Sequence, residues 1–159
     1  MNIAVDVTQP SETEVVVTRV FEAPARLVFD FHTRPEHVRR WLLGPDGWSM
    51  PVCDIDLRVG GSYRYVWRND ADGSQFGTTG VYREIVVPSR IVHTERMEGF
   101  DGECLCTLTL IEKGAHTTLT YTLKFESKEA RDGALATGMT DGMGMSYGRL
   151  EEVLVDAVQ

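Results

Sequence analysis

The sequence predicts an α+β fold: a curved antiparallel sheet of about six to seven strands around a long carboxy-terminal helix, with two short helices after the first strand. Three observations predict it. β-Branched and aromatic residues dominate 12–21 and nearly all of 51–126; two proline-led amphipathic stretches separate those regions; and 127–156 reads as one glycine-studded helix. A sheet wrapped around a helix encloses an interior, and room for a ligand is expected there.

Residues 1–11 (MNIAVDVTQPS) have no sustained period and contain Pro10, so they read as a flexible amino-terminal segment, leaving 12–159 as a single domain. ETEVVVTRVF is the first strand and stops at Glu22-Ala23-Pro24. Pro24 suits the first helical position, where its missing N–H costs nothing. Leu27, Val28 and Phe31 then follow helix spacing; Pro35 restarts the chain and places Val38, Trp41 and Leu42 on one side. Gly44-Pro45-Asp46-Gly47 is a turn.

MPVCDIDLRV leads into the turn at Gly60-Gly61, before which Asp56 and Arg58 read as a structural pair. SYRYVWR alternates, with Tyr63, Tyr65 and Trp67 on one face and Arg64, Val66 and Arg68 on the other. QFGTTGVYREIVV carries glycines that mark a bulge or bend, and Pro88-Ser89 turns it into RIVHTERM. CLCTLTLIE and HTTLTYTLKFE form a hairpin around Lys113-Gly114-Ala115. In its second strand Leu119, Tyr121, Leu123 and Phe125 share a face opposite Thr118, Thr120, Thr122 and Lys124. One buried and one wet face mark an antiparallel sheet covered on a single side.

The cover is Ser127 to about Asp156, with Ser127 as N-cap, Glu129 and Asp132 near the positive helix end, and Leu135, Met139, Met143, Leu150 and Leu154 as an apolar stripe. Gly133, Gly138, Gly142, Gly144 and Gly148 each oppose helix formation by ~1 kcal/mol. They either permit close packing or a kink, or leave space beside Met139 and Met143.

Composition narrows the function classes. The 159 residues carry a formal net charge of −8 and no Lys/Arg run, which excludes a nucleic-acid partner. No window reaches the roughly 18 apolar residues of a bilayer span, so no membrane partner is expected. Three cysteines do not make a disulfide framework and fit a reducing, cytoplasmic setting.

In order along the chain, several short patterns now coincide. Phe21, Pro24, Val28, Phe29, Pro35, Glu36 and Trp41 form the first; Asp56, Arg58, Gly60, Gly61 and Tyr63 the second. Gly80, Tyr82, Glu84 and Ile85 form the third; Gly138, Met139, Gly142 and Leu150 close the set. Together, over roughly 13–156, they resemble the SRPBCC or START-like superfamily, specifically its branch homologous to the activator of heat-shock protein 90 ATPase. The resemblance implies a helix-grip fold and a cavity between sheet and closing helix. Where that helix often carries Gly-Trp, this chain has Met143.

The candidate cavity lining is Trp41, Trp48, Tyr63, Tyr65, Trp67, Phe76, Tyr82 and Tyr121, with His93, Glu95, Met97, Met139 and Met143. Buried tyrosines bring hydroxyls that need partners, and methionines make adaptable walls. His93 and Glu95 are in phase on one strand; with Tyr63 they are the acid/base set of a cyclase- or hydrolase-type alternative. His32, His37 and His116 are expected to be exposed. Cys104 and Cys106 share a strand face, but C-x-C alone does not make a metal site, so no metal, cofactor or catalytic residue is assigned. No Walker, Rossmann, Gly-x-Ser-x-Gly or His-Glu-x-x-His motif occurs.

The expected function is binding of a small apolar or amphipathic molecule, weakened by Met143→Trp, in a protein whose sequence is compatible with a homodimer. A co-chaperone-like role rests on the family resemblance alone. The additional amino-terminal domain of the eukaryotic activators has no counterpart in these residues, so a chaperone partner is not expected.

Overall fold

In the chain's computed structural model, residues 5–158 are described. Eight strands form one antiparallel sheet: β1 (Asp6–Thr8), β2 (Glu14–Phe21), β3 (Trp48–Ile55), β4 (Ser62–Asn69), β5 (Gln75–Val86), β6 (Arg90–Met97), β7 (Cys104–Lys113) and β8 (His116–Lys124). Their order across the sheet is β1-β2-β8-β7-β6-β5-β4-β3. Helices α1 (Ala25–Thr33) and α2 (Pro35–Val38) follow β2, and α3 (Lys128–Ala136) and α4 (Met139–Ala157) close the chain. Among the described residues no helix is long and apolar enough to cross a membrane.

The strands form because their alternation can be satisfied on one side. In β2, Val15, Val17 and Phe21 are fully buried while their neighbours face outward. Leu108, Leu110, Leu119 and Leu123 continue that apolar floor across β7 and β8. Arg19 also points inward and pairs with Glu151 of α4 at 3.3 Å, joining the sheet to its cover.

Three features depart from the sequence expectation. The sheet gains β1, which pairs with β2 through Val7 opposite Val17, inside the segment read as flexible; positions 1–4 of that segment lie outside the described residues. A three-residue edge strand has too little pattern to register in sequence. The first long helix starts at Ala25 rather than Pro24, and its leading N–H donates to the Glu112 carboxylate of β7 at 2.7 Å. That contact puts a negative charge at the positive end of α1.

The closing helix is also divided. Ser127 caps α3 as expected, accepting from the Ala130 N–H at 3.0 Å. The helix then ends at Thr137, and Gly138 adopts the left-handed conformation with φ +81° before α4 begins. A left-handed residue breaks an α-helix, and glycine takes that conformation without steric cost.

Candidate functional site

Helices α1 and α2 and the inner faces of β4–β8 surround a small cavity of about 70 Å³. Its polar and aromatic wall is His32, Trp41, Tyr63, Tyr65, Tyr82, His93 and Tyr121. Val38, Leu42, Ile91 and Leu108 complete it. A larger open groove of about 440 Å³ runs between Phe21–Glu22 and the end of α4, bordered by Glu151, Glu152 and Asp156. Its open form and acidic border converge on no donor set, so size does not pick the site.

Strand register assembles the wall. Tyr63 lies directly across from Gly80, and a Cβ added there would collide with the Thr94 carbonyl and the Tyr63 ring. Glycine at 80 is what lets that ring lie over β5. Tyr82 is paired with His93 on the next strand, before a bulge that lies between Tyr82 and Glu84. The double-glycine turn is stitched to the same strand, Gly60 N–H donating to the Tyr82 carbonyl at 2.8 Å and Tyr82 N–H to Gly61 at 2.9 Å.

The cavity is far tighter than the chamber the sequence suggested. Tyr63 packs against Tyr65, Tyr82 and His93 with ring centres 4.9, 5.6 and 5.1 Å apart, so rings occupy most of the interior. Burial raises the pKa of the Tyr63, Tyr65, Tyr82 and Tyr121 phenols, so all four stay protonated at neutral pH.

The two histidines are held in opposite ways. His93 Nδ1 lies 2.9 Å from the Thr94 carbonyl, which can only accept, so Nδ1 carries the proton and Nε2 accepts from Tyr121 at 3.3 Å. Tyr63 donates to the same Thr94 carbonyl at 3.0 Å. Burial lowers the His93 pKa, matching this neutral tautomer. His32 Nδ1 likewise donates to Val28 at 2.7 Å, which makes Nε2 an acceptor; that atom is buried and has no partner among the described residues. Burial lowers the His32 pKa to about 4, against a raising contribution from the Val28 bond.

Of the residues predicted for the lining, Trp41, Tyr63, Tyr65, Tyr82, His93 and Tyr121 reach the cavity. Trp41 also donates from Nε1 to the Phe31 carbonyl at 2.8 Å and stacks on Tyr147. Trp48, Trp67 and Phe76 do not line it. Trp67 stacks on Phe76 at 5.0 Å, Trp48 meets Phe76 edge-on at 5.4 Å, and Trp67 Nε1 donates to Leu42 O. Strand phase correctly puts Trp67 on the inner face, but it sits further along β4 than the tyrosines and closes a separate cluster. Met97 is 42% exposed, because β6 runs beyond its cover. Met139 and Met143 pack half-buried against the main core without lining the cavity, so the wall assigned to Met143 is corrected.

Glu95 is on the inner face but turns to Cys104 and Cys106, its Oε2 lying 3.8 and 3.5 Å from their sulfurs. His93 is occupied by Thr94, Tyr63 and Tyr121, so no hydrogen bond joins His93 to Glu95 among the described residues. Cys53 sits on β3 near the far edge of the sheet, away from the other two cysteines.

Sequence reasoning missed His32, expected to be exposed. The signal was present: Val28 and His32 are four apart, which places the ring on the buried helix face. His37 is also half-buried, stacked on Phe31 at 4.2 Å, while His116 is exposed as expected.

The family model for "Activator of Hsp90 ATPase homolog 1-like protein" matches residues 22–155. No curated protein matches the sequence. Among solved structures, a Rhodobacter sphaeroides protein is 29% identical, covers 96% of this chain and 99% of its own, and superposes with a TM-score of 0.90. A Chromobacterium violaceum protein is 25% identical over 91% of this chain and 98% of its own, with a TM-score of 0.80. An HSP90 activator from Plasmodium falciparum shares the fold, at 20% identity, TM-score 0.65, and coverage of 89% and 96%.

Proposed function

Since the chain belongs to the family of activator of Hsp90 ATPase homolog 1-like proteins, we propose that it binds a small, mainly apolar molecule bearing one hydroxyl or N–H group, held head-first in the cavity between the sheet and helices α1 and α2. The supporting observation is the buried Nε2 acceptor of His32, a residue of the cavity wall, with nothing donating to it among the described residues. Leaving such an atom unpaired costs about 1–3 kcal/mol, which an incoming donor relieves. The surrounding Tyr63, Tyr65 and Trp41 faces suit a planar ring behind that donor.

Size limits the guest. A space of about 70 Å³ takes a head group of a few heavy atoms, whereas drug-sized ligands occupy ~300–1,000 Å³. A larger guest, phenol included, therefore needs the aliphatic wall of Val38, Leu42, Ile91 and Leu108 to give way. The chaperone relationship of the Plasmodium HSP90 activator belongs to that protein, and no chaperone partner is proposed for this chain.

Calorimetric titration with phenol, and with benzene as the donor-free control, tests the proposal. Phenol is expected to bind at one equivalent, and His32→Leu should weaken it at least tenfold (about 1.4 kcal/mol) while leaving benzene nearly unaffected. Ile91→Phe, which fills the cavity, should weaken both. Phenol affinity unchanged in both variants, or no phenol uptake by the unmodified chain, overturns the assignment.

A further inference from the structure

The inner face of β6 and β7 carries a second constellation that the cavity does not use. Glu95 and Cys104 are directly opposed in the antiparallel register, and Cys106 lies two residues along β7, opposite His93. All three side chains therefore project from one face of two hydrogen-bonded strands, a rigid mounting for a ligand set. Cys106 is fully buried, Cys104 is nearly so, and Glu95 is half-buried at the more open end.

Distances among the three donor atoms are specific. The sulfurs are 3.6 Å apart, and Glu95 Oε2 is 3.5 Å from Cys106 Sγ and 3.8 Å from Cys104 Sγ. Around a tetrahedral zinc-class ion, with metal–sulfur bonds of about 2.3 Å and metal–oxygen bonds of about 2.0 Å, sulfurs stand about 3.8 Å apart and sulfur and oxygen about 3.5 Å. The observed triangle is already that of three tetrahedral corners, to within a few tenths of an ångström.

We propose that Glu95, Cys104 and Cys106 form a binding site for a thiophilic divalent cation of the zinc class, with the fourth coordination position left to water or an exogenous ligand. Among the described residues no other His, Cys, Asp or Glu joins this group, so none of these residue types takes the fourth corner. Two thiolates and one carboxylate favour zinc or cadmium over magnesium or calcium, which take all-oxygen sets. Without metal the thiols hydrogen-bond to each other and to the carboxylate, so the triangle forms before an ion arrives. Binding replaces two S–H protons with metal–sulfur bonds and releases those protons to solvent. The site does not depend on the neighbouring cavity being occupied.

Titration of the reduced full chain with cadmium tests this. A thiolate-to-cadmium charge-transfer band in the ultraviolet should saturate at one equivalent. Cys104→Ser and Cys106→Ser should each abolish stoichiometric uptake, Cys53→Ser should leave it intact, and Glu95→Gln should weaken it about 10–100-fold. Because serine at buried Cys106 threatens the fold, near-ultraviolet circular dichroism accompanies each variant. Zinc-edge X-ray absorption of the unmodified protein supplies a measurement free of mutation, expected to show two sulfurs at about 2.3 Å with oxygen completing the shell. A sulfur-free shell, no stoichiometric uptake by the reduced chain, a band that survives in a folded Cys104→Ser, or wild-type affinity in Glu95→Gln overturns the proposal.

Discussion

From Ser146 to Leu154, α4 is gripped on several sides, whereas from Met139 to Met145 the large side chains that the same helix packs against the core are the half-buried thioethers of Met139 and Met143. In the gripped half, Ser146 Oγ accepts from the Gly44 N–H at 2.9 Å, and Arg149 donates to the carbonyls of Trp41 and Gly44 at 3.0 and 3.1 Å. Tyr147 meets Phe21 and Trp41 at 6.0 and 5.6 Å, and Leu150 and Leu154 are essentially fully buried. In the other half Met139 and Met143 are half-buried and Met145 is 42% exposed. The difference teaches where the interior can yield: one half joins α4 to α1, β2 and the segment after α2, while the other is a cover of flexible side chains that starts at a left-handed glycine.

Four measurements break or sharpen this contrast, beginning with the largest effect. Leu150→Ala should cost about 2–5 kcal/mol in urea denaturation, because it empties a fully buried site, while Met143→Ala should cost about 1 kcal/mol. Equal losses would erase the distinction.

Acid tests the gripped half from beneath, where the His32 ring lies 4.8 Å from Trp41 and 6.4 Å from Tyr147. With a folded pKa of about 4 against 6.5 for the free side chain, the unfolded chain binds the extra proton first. Stability is therefore fully present above pH 6.5, falls as pH drops toward 4, and levels off below. This contribution amounts to roughly 3 kcal/mol. His32→Leu should flatten that portion of the pH–stability curve; an unchanged slope would show that the imidazole is solvated.

The glycines give smaller effects of opposite sign. Gly138→Ala should destabilise by about 1–2 kcal/mol, since alanine is strained at φ +81°. Gly142→Ala meets no atom within 4 Å and should stabilise by about 0.5–1 kcal/mol. A loss of stability at both positions would mean the methionine half is seated more tightly than described.

What the sequence made legible was whatever depends on period and local chemistry. Alternation put Tyr63, Tyr65, His93 and Tyr121 on the inner face, and Ser127 identified itself as a cap. Phase does not say how far along a strand its cover reaches, so Trp48, Trp67, Phe76 and Met97 were placed on the right kind of surface but outside the cavity. The size of the interior was hidden for a related reason. It depends on how rings from separate strands interlock, which follows from register rather than composition. The break at Gly138 was equally silent, because a glycine in a helical pattern looks the same whether it packs, bends or stops the helix. Glu95 meets the two cysteines only through the β6–β7 pairing, so Cys-x-Cys carried no visible third ligand.

The hydrogen that serves as the side chain of residue 80 has a consequence for anyone wishing to tailor this protein. Both neighbours of that position, the Thr94 carbonyl and the Tyr63 ring, are tied into the hydrogen bond that orients the phenol, so neither can step aside independently. Enlarging or reshaping the chamber is consequently a task for Ile91, Leu108 or Leu42, whose aliphatic groups can be trimmed without disturbing the aromatic floor.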